Sequence, residues 1–197
     1  MRSGSYCQRV TAARDDVALD VQEQIDVATR RLLQTVRRLD DDDVRQASSL
    51  PGWTRGHVLT HVARGGDAMR ALLRSARTGV PEPAYVSQQA RDGAIEQGAG
   101  RAAAGLLADL ATSAESFRDE VLALPEHGWQ FRVQVLGGVA FPASELLVRR
   151  LVEVELHHTD LSAGYSSRDW PARFAERELP EPACSQRADR RTVSVPR

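Results

Sequence analysis

Four of the five histidines in this 197-residue chain fall in two short stretches, His57 to His61 and His157-His158. Glu153 and His157 are four residues apart, so on a helix they stand on one face, one turn above the other. A carboxylate and an imidazole placed this way can grip a divalent cation together. A third donor must come from elsewhere, and the other i,i+4 pair, His57 and His61, supplies the candidates. One histidine from that pair gives three protein ligands and an open position, the catalytic arrangement; both give a closed, structural site. Each residue also has an ordinary alternative. A Glu/His pair at this spacing is often a solvated surface pair, His61 could be a core histidine bonded to a neighbour, and His57 could cap a helix. If His61 and His157 are ligands, each imidazole should give its other ring N–H to a carboxylate or carbonyl, with Asp160 a candidate for His157.

Helices must carry these residues. Leu147, Leu151, Val154, Leu156 and Leu161 recur at helical spacing and predict a helix over 144–161, with Ser144 as N-cap. Pro51-Gly52 marks a turn, and Thr54 is a suitable N-cap for a helix over 55–76, whose buried face is Val58, Val62, Met69, Leu72 and Leu73. His57 then lies in the first turn and His61 one turn further. Val21, Ile25, Ala28, Leu32, Val36 and Leu39 give one apolar stripe over 16–39. Leu106, Leu110, Ala114, Phe117, Val121 and Leu124 give another over 102–124. Between them, 40–43 reads as an acidic connector and 79–100 as a Gly/Pro-rich loop. Trp129, Phe131, Val133 and Val135 alternate with polar residues as a half-buried strand does, and Gly137-Gly138 can turn it into a small hairpin. Asp169-Trp170-Pro171 opens a short helix to about 179. Residues 1–14 and 181–197 lack periodicity and read as a flexible N-terminus and a disordered tail. The expected fold class is mainly α, an antiparallel four-helix bundle over 15–180 with a small β-hairpin before the last bundle helix.

Composition removes several functions. Net charge is -1, which gives no case for nucleic acid. No apolar run approaches a membrane span, and Met1 to Tyr6 has no apolar signal region. Cys7 and Cys184 lie near opposite ends and form neither a disulfide framework nor a metal knuckle, so a cytoplasmic location is expected. Every one of the 26 basic residues is Arg, and Lys and Asn are absent, as a GC-rich coding sequence would give.

The motifs carry a resemblance. Leu50-Pro51-Gly52-Trp53-Thr54-Arg55-Gly56-His57-Val58-Leu59-Thr60-His61-Val62-Ala63, Pro142-Ala143-Ser144-Glu145 and Glu153-Val154-Glu155-Leu156-His157-His158-Thr159-Asp160-Leu161 resemble the metal-binding N-terminal domain of the mycothiol-dependent maleylpyruvate isomerase family, a DinB-like four-helix bundle. It covers about residues 15–180. Carried over residue by residue, it implies His61, Glu153 and His157 as ligands of a divalent metal, expected to be zinc, and mycothiol as thiol cofactor or cosubstrate. It also implies isomerisation of maleylpyruvate to fumarylpyruvate by thiolate addition and elimination. Arg150 is the candidate for holding a substrate carboxylate, since a guanidinium offers a bidentate fork; a surface ion pair is its alternative. Where family enzymes often carry Arg just before the ligand Glu, this chain has Val152. Family isomerases also continue into a C-terminal domain that helps complete the active site, whereas the resemblance here stops near Pro180. Two rival functions follow: a mycothiol S-transferase acting on electrophiles, or a metal-binding bundle without activity.

Overall fold

The structure is a computed structural model that describes the backbone of residues 4–192 and the side chains of 18–191. Its frame is four long helices: α1 (Gly4–Val36), α3 (Arg55–Thr78), α5 (Ala103–Ala123) and α6 (Glu145–Asp160). Helix α3 packs on both α5 and α6, and α1 packs on the same two, so the four close into a ring around one core. The expected stripes face inward: Val21, Ile25, Ala28, Leu32 and Val36 from α1; Val58, Val62, Leu72 and Leu73 from α3; Leu106, Leu110, Phe117 and Val121 from α5; Leu147, Leu151, Val154 and Leu156 from α6. Each fully buried Val, Leu, Ile or Phe among them contributes about 1.5–3 kcal/mol relative to exposure. The fold class is the expected DinB-like helical bundle with a hairpin before its last helix.

Boundaries differ from the sequence reading in informative ways. Helix α1 begins at Gly4 rather than near Asp16; the stretch 4–15 has no proline to stop it, and residues 1–3 lie outside the described part. The acidic run is a short helix, α2 (Asp41–Arg45), closed by a reciprocal Asp40/Asp43 capping box. Asp41 then accepts from the Ala103 N–H at 2.8 Å, capping α5, whose own N-cap Ala102 has no side-chain acceptor.

The expected loop 79–100 contains helix α4 (Gln88–Ala99), opened by Ser87, whose hydroxyl accepts from the Ala90 N–H. Its glycines mask it in the sequence; burial of Ile95 and Ala99 against α3 holds it. Helix α3 ends where expected, at Gly79, whose left-handed φ of 71° is the usual terminator.

The hairpin is shorter than the alternation implies. Strand β1 (Arg132–Val133) pairs antiparallel with β2 (Phe141–Pro142), Val133 opposite Phe141, while Trp129 lies in a 3-10 turn over Glu126–Gln130. Backbone N–H groups of Ala143 and Ser144 then bond to the Phe131 and Trp129 carbonyls at 2.9 and 3.1 Å. Ser144 does not cap α6 with its side chain: it is already helical, and the Leu146 N–H bonds to the Ala143 carbonyl at 3.0 Å instead.

After α6, helix α7 (Ala172–Ala175) is only one turn. The expected disordered tail instead forms helix α8 (Ala183–Thr192), in part; residues 193–197 lie outside the described part. Aperiodic in sequence, α8 docks through arginines rather than an apolar stripe. Arg187 donates to the Phe174 carbonyl at 2.6 Å, Arg191 donates to the Ala175 carbonyl, and Arg190 pairs with Asp160.

Candidate functional site

Thr54 accepts from the His57 N–H, and the His57 ring, 3.2 Å from the Thr54 N–H, completes a capping box at the start of α3. His57 also meets Glu96 of α4 at 3.4 Å. It is thus a capping residue. One turn on, His61 points toward α6, with the Trp53 ring edge-on at 5.5 Å.

On α6, Glu153 and His157 share a face, and His61 reaches them. His61 Nε2 lies 3.1 Å from His157 Nε2 and 3.8 Å from Glu153 Oε1. Donors about 2.0–2.1 Å from one tetrahedral zinc ion stand about 3.3 Å apart, and these two separations bracket that value. The three expected ligands therefore come together, and His57 does not join them. Among the described residues, however, no group of three or more His, Cys, Asp or Glu is arranged so that it could hold a metal ion as it stands. The two imidazole nitrogens are in direct hydrogen-bond contact.

Behind the trio the helices touch. A side chain at Gly65 of α3 would place its Cβ 2.0 Å from Glu153 Oε1, and one at Gly66 would meet Ser113 at 2.6 Å and Arg150 at 3.0 Å. Glu153 and Arg150 occupy the room these glycines leave. Arg150 was the expected carboxylate holder, but it is 1% exposed. Its Nη1 donates to the Val62 carbonyl at 2.7 Å and to Glu153 Oε2 at 2.8 Å. It orients Glu153 from within the core, where a core-facing helix position put it; its Nη2 is buried there without a hydrogen-bond partner among the described residues.

The outer nitrogens of the two imidazoles differ. His157 Nδ1 lies 2.9 Å from Asp160 Oδ2, the expected carboxylate partner. Asp160 also takes Arg190 through both oxygens, at 2.8 and 2.6 Å, and the Ser49 hydroxyl at 3.1 Å. Burial alone would raise the Asp160 pKa; the hydrogen bonds from His157 and Arg190 outweigh it and hold the carboxyl below its usual range. His61 departs from expectation: its Nδ1 faces neither carboxylate nor carbonyl but Arg91 Nη2 of α4, at 3.2 Å. Burial first, then the charges of His157, Arg91 and Arg150, push its pKa down to about 3, so the ring is neutral. The Tyr85 hydroxyl is buried with no hydrogen-bond partner among the described residues. Its pKa is pushed up to about 12, by burial first and then by the Glu153 charge.

Arg91, Arg190, Tyr85 and the Gly65-Gly66 pair escaped the sequence reading. Only the glycines carried a signal: two adjacent glycines inside an amphipathic helix mark a close approach.

The sequence profile described as "Mycothiol maleylpyruvate isomerase N-terminal domain" matches residues 25–162. Two solved structures are similar: a crystal structure of the mycothiol-dependent maleylpyruvate isomerase, at 29% identity, and one of its histidine-to-alanine mutant, at 28%. In both the TM-score is 0.76, and the alignment covers 80% of this chain but 65% of the other. The chain thus spans about two thirds of the length of these relatives. Among curated proteins none matches.

Proposed function

The chain belongs to the mycothiol maleylpyruvate isomerase N-terminal domain family, and from that membership we propose that it is a metal- and mycothiol-dependent enzyme of the maleylpyruvate isomerase type. The observation that carries the proposal is the meeting of His61, Glu153 and His157 at 3.1 and 3.8 Å. Their donor chemistry fits a divalent ion such as zinc: two imidazoles and one carboxylate, with a fourth position left open. A metal ion bound there would supply positive charge that lowers a thiol's pKa and favours its thiolate.

The chain's own residues have definable parts in this. Asp160, held by Arg190, fixes the His157 ring with its Nδ1–H outward, leaving the Nε2 lone pair for a ligand. Arg150 aims Glu153. Trp53 stands against His61 and limits the ring's freedom.

The proposed reaction is thiol addition to the cis double bond of a maleylpyruvate-like substrate, rotation about the resulting single bond, and elimination of the same thiol. A small thiol and a small carboxylate substrate would be its partners, and the cytoplasm its location. Among the described residues no helix is long and apolar enough to cross a membrane. The test is metal analysis of the purified chain, followed by an isomerase assay with and without metal and mycothiol. The proposal expects a rate that needs both, with free thiol unchanged at completion. Stoichiometric loss of thiol with an electrophile would replace it with a transferase, and metal-independent behaviour would overturn it.

A further inference from the structure

Arg91 sits where a purely structural arginine would be awkward. Its Nη2 donates to His61 Nδ1 at 3.2 Å, and its Nη1 to Asp92 Oδ1 at 2.8 Å. A guanidinium has donors only, so His61 Nδ1 must accept, and the single hydrogen of the neutral ring is on Nε2. The contacts beyond it agree. His61 Nε2–H donates to His157 Nε2 at 3.1 Å, and His157 Nδ1–H donates to the ionised Asp160 at 2.9 Å. Every hydrogen bond from Arg91 to Asp160 runs in one direction.

That direction is incompatible with a metal at the trio. An imidazole that ligates through Nε2 needs its lone pair there and carries its hydrogen on Nδ1. The Nδ1–H of His61 would then point at an N–H of Arg91, donor against donor. Metal at His61 and the Arg91–His61 hydrogen bond therefore exclude one another. On loading, Arg91 Nη2 must let go of His61 while Nη1 keeps Asp92, and the released Nη2 donor beside the metal is left to take another acceptor.

Protein acceptors close by are poor competitors. Asp92 is its sequence neighbour, with a side chain 55% exposed, and an exposed pair of that kind contributes little. Glu153 is engaged by Arg150, and Asp109 by Arg64 and Arg101. The buried Tyr85 hydroxyl lacks a partner, and the charged groups facing it are Glu153, Arg91, Asp67 and Arg64.

We infer that Arg91, released from His61 by metal binding, is the site that takes the substrate's carboxylate. A guanidinium suits this by its bidentate geometry. The subsite then exists only in the loaded protein, so metal and carboxylate bind with positive coupling. The inference rests on the metal-centre reading above and moves the carboxylate-holding role from Arg150 to Arg91.

The test uses the full chain, zinc and maleate as a small cis-dicarboxylate probe. Zinc affinity is measured by chelator competition, and maleate binding by calorimetry with and without zinc, in wild type, Arg91→Met and Arg91→Lys. In wild type, zinc should tighten maleate binding roughly tenfold or more, the scale of a charge-assisted hydrogen bond. Arg91→Met should bind zinc more tightly than wild type, having no hydrogen bond to break, yet lose the zinc-dependent gain for maleate; Arg91→Lys should recover part of that gain. In metal-free wild type, ¹⁵N shifts of His61 should show hydrogen on Nε2. Maleate that binds the loaded wild type and Arg91→Met equally is a metal ligand only and overturns the subsite. Absence of zinc binding in wild type overturns the metal centre itself, and the coupling with it.

Discussion

Replacing Gly65 by Ala separates the metal site from the fold. The added Cβ would stand 2.0 Å from Glu153 Oε1, 2.6 Å from its Cδ and 2.7 Å from Oε2. An ordinary carbon–oxygen contact is about 3.4 Å, so the carboxylate must retreat by about 1.4 Å. A ligand oxygen tolerates about 0.2 Å, so Glu153 ceases to be a donor at the trio. Losing it should weaken zinc binding by at least 10- to 100-fold, about 1.4–2.7 kcal/mol. The fold should survive, because what moves is the end of a flexible side chain. Alanine in place of glycine in a helix also contributes about 1 kcal/mol of stability. The control is Gly56→Ala, whose Cβ would meet the backbone carbonyl oxygen of Ala99 at 2.2 Å. Backbone cannot step aside, so α3 and α4 must separate, at a cost of about 1–3 kcal/mol. Chelator competition and thermal unfolding of both variants provide the assay. A Gly65→Ala protein that binds zinc like wild type would refute the assignment of Glu153 and the close-approach reasoning together.

His157→Ala should cut zinc affinity at least 100-fold, whereas His57→Ala should leave it within a few-fold and cost at most about 1 kcal/mol of stability, because only the ring's half of the capping box is lost and the Thr54 cap remains; equal losses of zinc affinity from both would contradict the ligand set. Arg190→Ala, one contact further out through Asp160, should weaken zinc binding roughly 3- to 10-fold, less than removing a residue that touches a ligand. Arg191→Ala, which removes the contact to the Ala175 carbonyl and the guanidinium over the Trp170 ring but nothing at Asp160, should leave affinity unchanged; matching effects would mean that α8 matters for docking alone. His158, stacked on Tyr165 at 3.7 Å and 2.8 Å from the Thr35 hydroxyl, has its pKa pushed down to about 3, by burial first. The unfolded chain takes up that proton near pH 6.5. The contribution of the neutral ring is therefore present above pH 6.5 and is lost as the pH falls toward 3, with a slope of up to about 1.4 kcal/mol per pH unit. Urea unfolding of metal-free protein at pH 7, 6 and 5 should show the fall, steepened by His61, which is held down to about 3 in the same way, and His158→Gln should reduce the slope by up to about 1.4 kcal/mol per pH unit; an unchanged slope in that variant would rule His158 out as a source.

The sequence alone determined what is local and periodic. Helical stripes placed the four bundle helices because burial of one face repeats every three to four residues whatever the partner. Thr54 fixed the start of α3, and Gly79 its end, by backbone chemistry that needs no tertiary contact. Glu153 and His157 share a face by spacing, and the motifs marked His61 over His57. What the sequence could not decide depends on which residues meet across helices. Ser144 is a good cap by type, yet the fold holds it already helical, and the Ala143 carbonyl takes the Leu146 N–H instead. Arg150 looks like a ligand-binding fork until the fold buries it against Glu153 and the Val62 carbonyl. Arg91 lies in a glycine-rich stretch that reads as loop, and its place against His61 exists only because α4 packs on α3. Arg190 is 30 residues from Asp160 on a helix with no apolar period, held by arginine-to-carbonyl and arginine-to-carboxylate bonds that no pattern of hydrophobicity records. Periodicity reports the face a helix buries; it carries no information on which charged groups from distant segments share the space at its end.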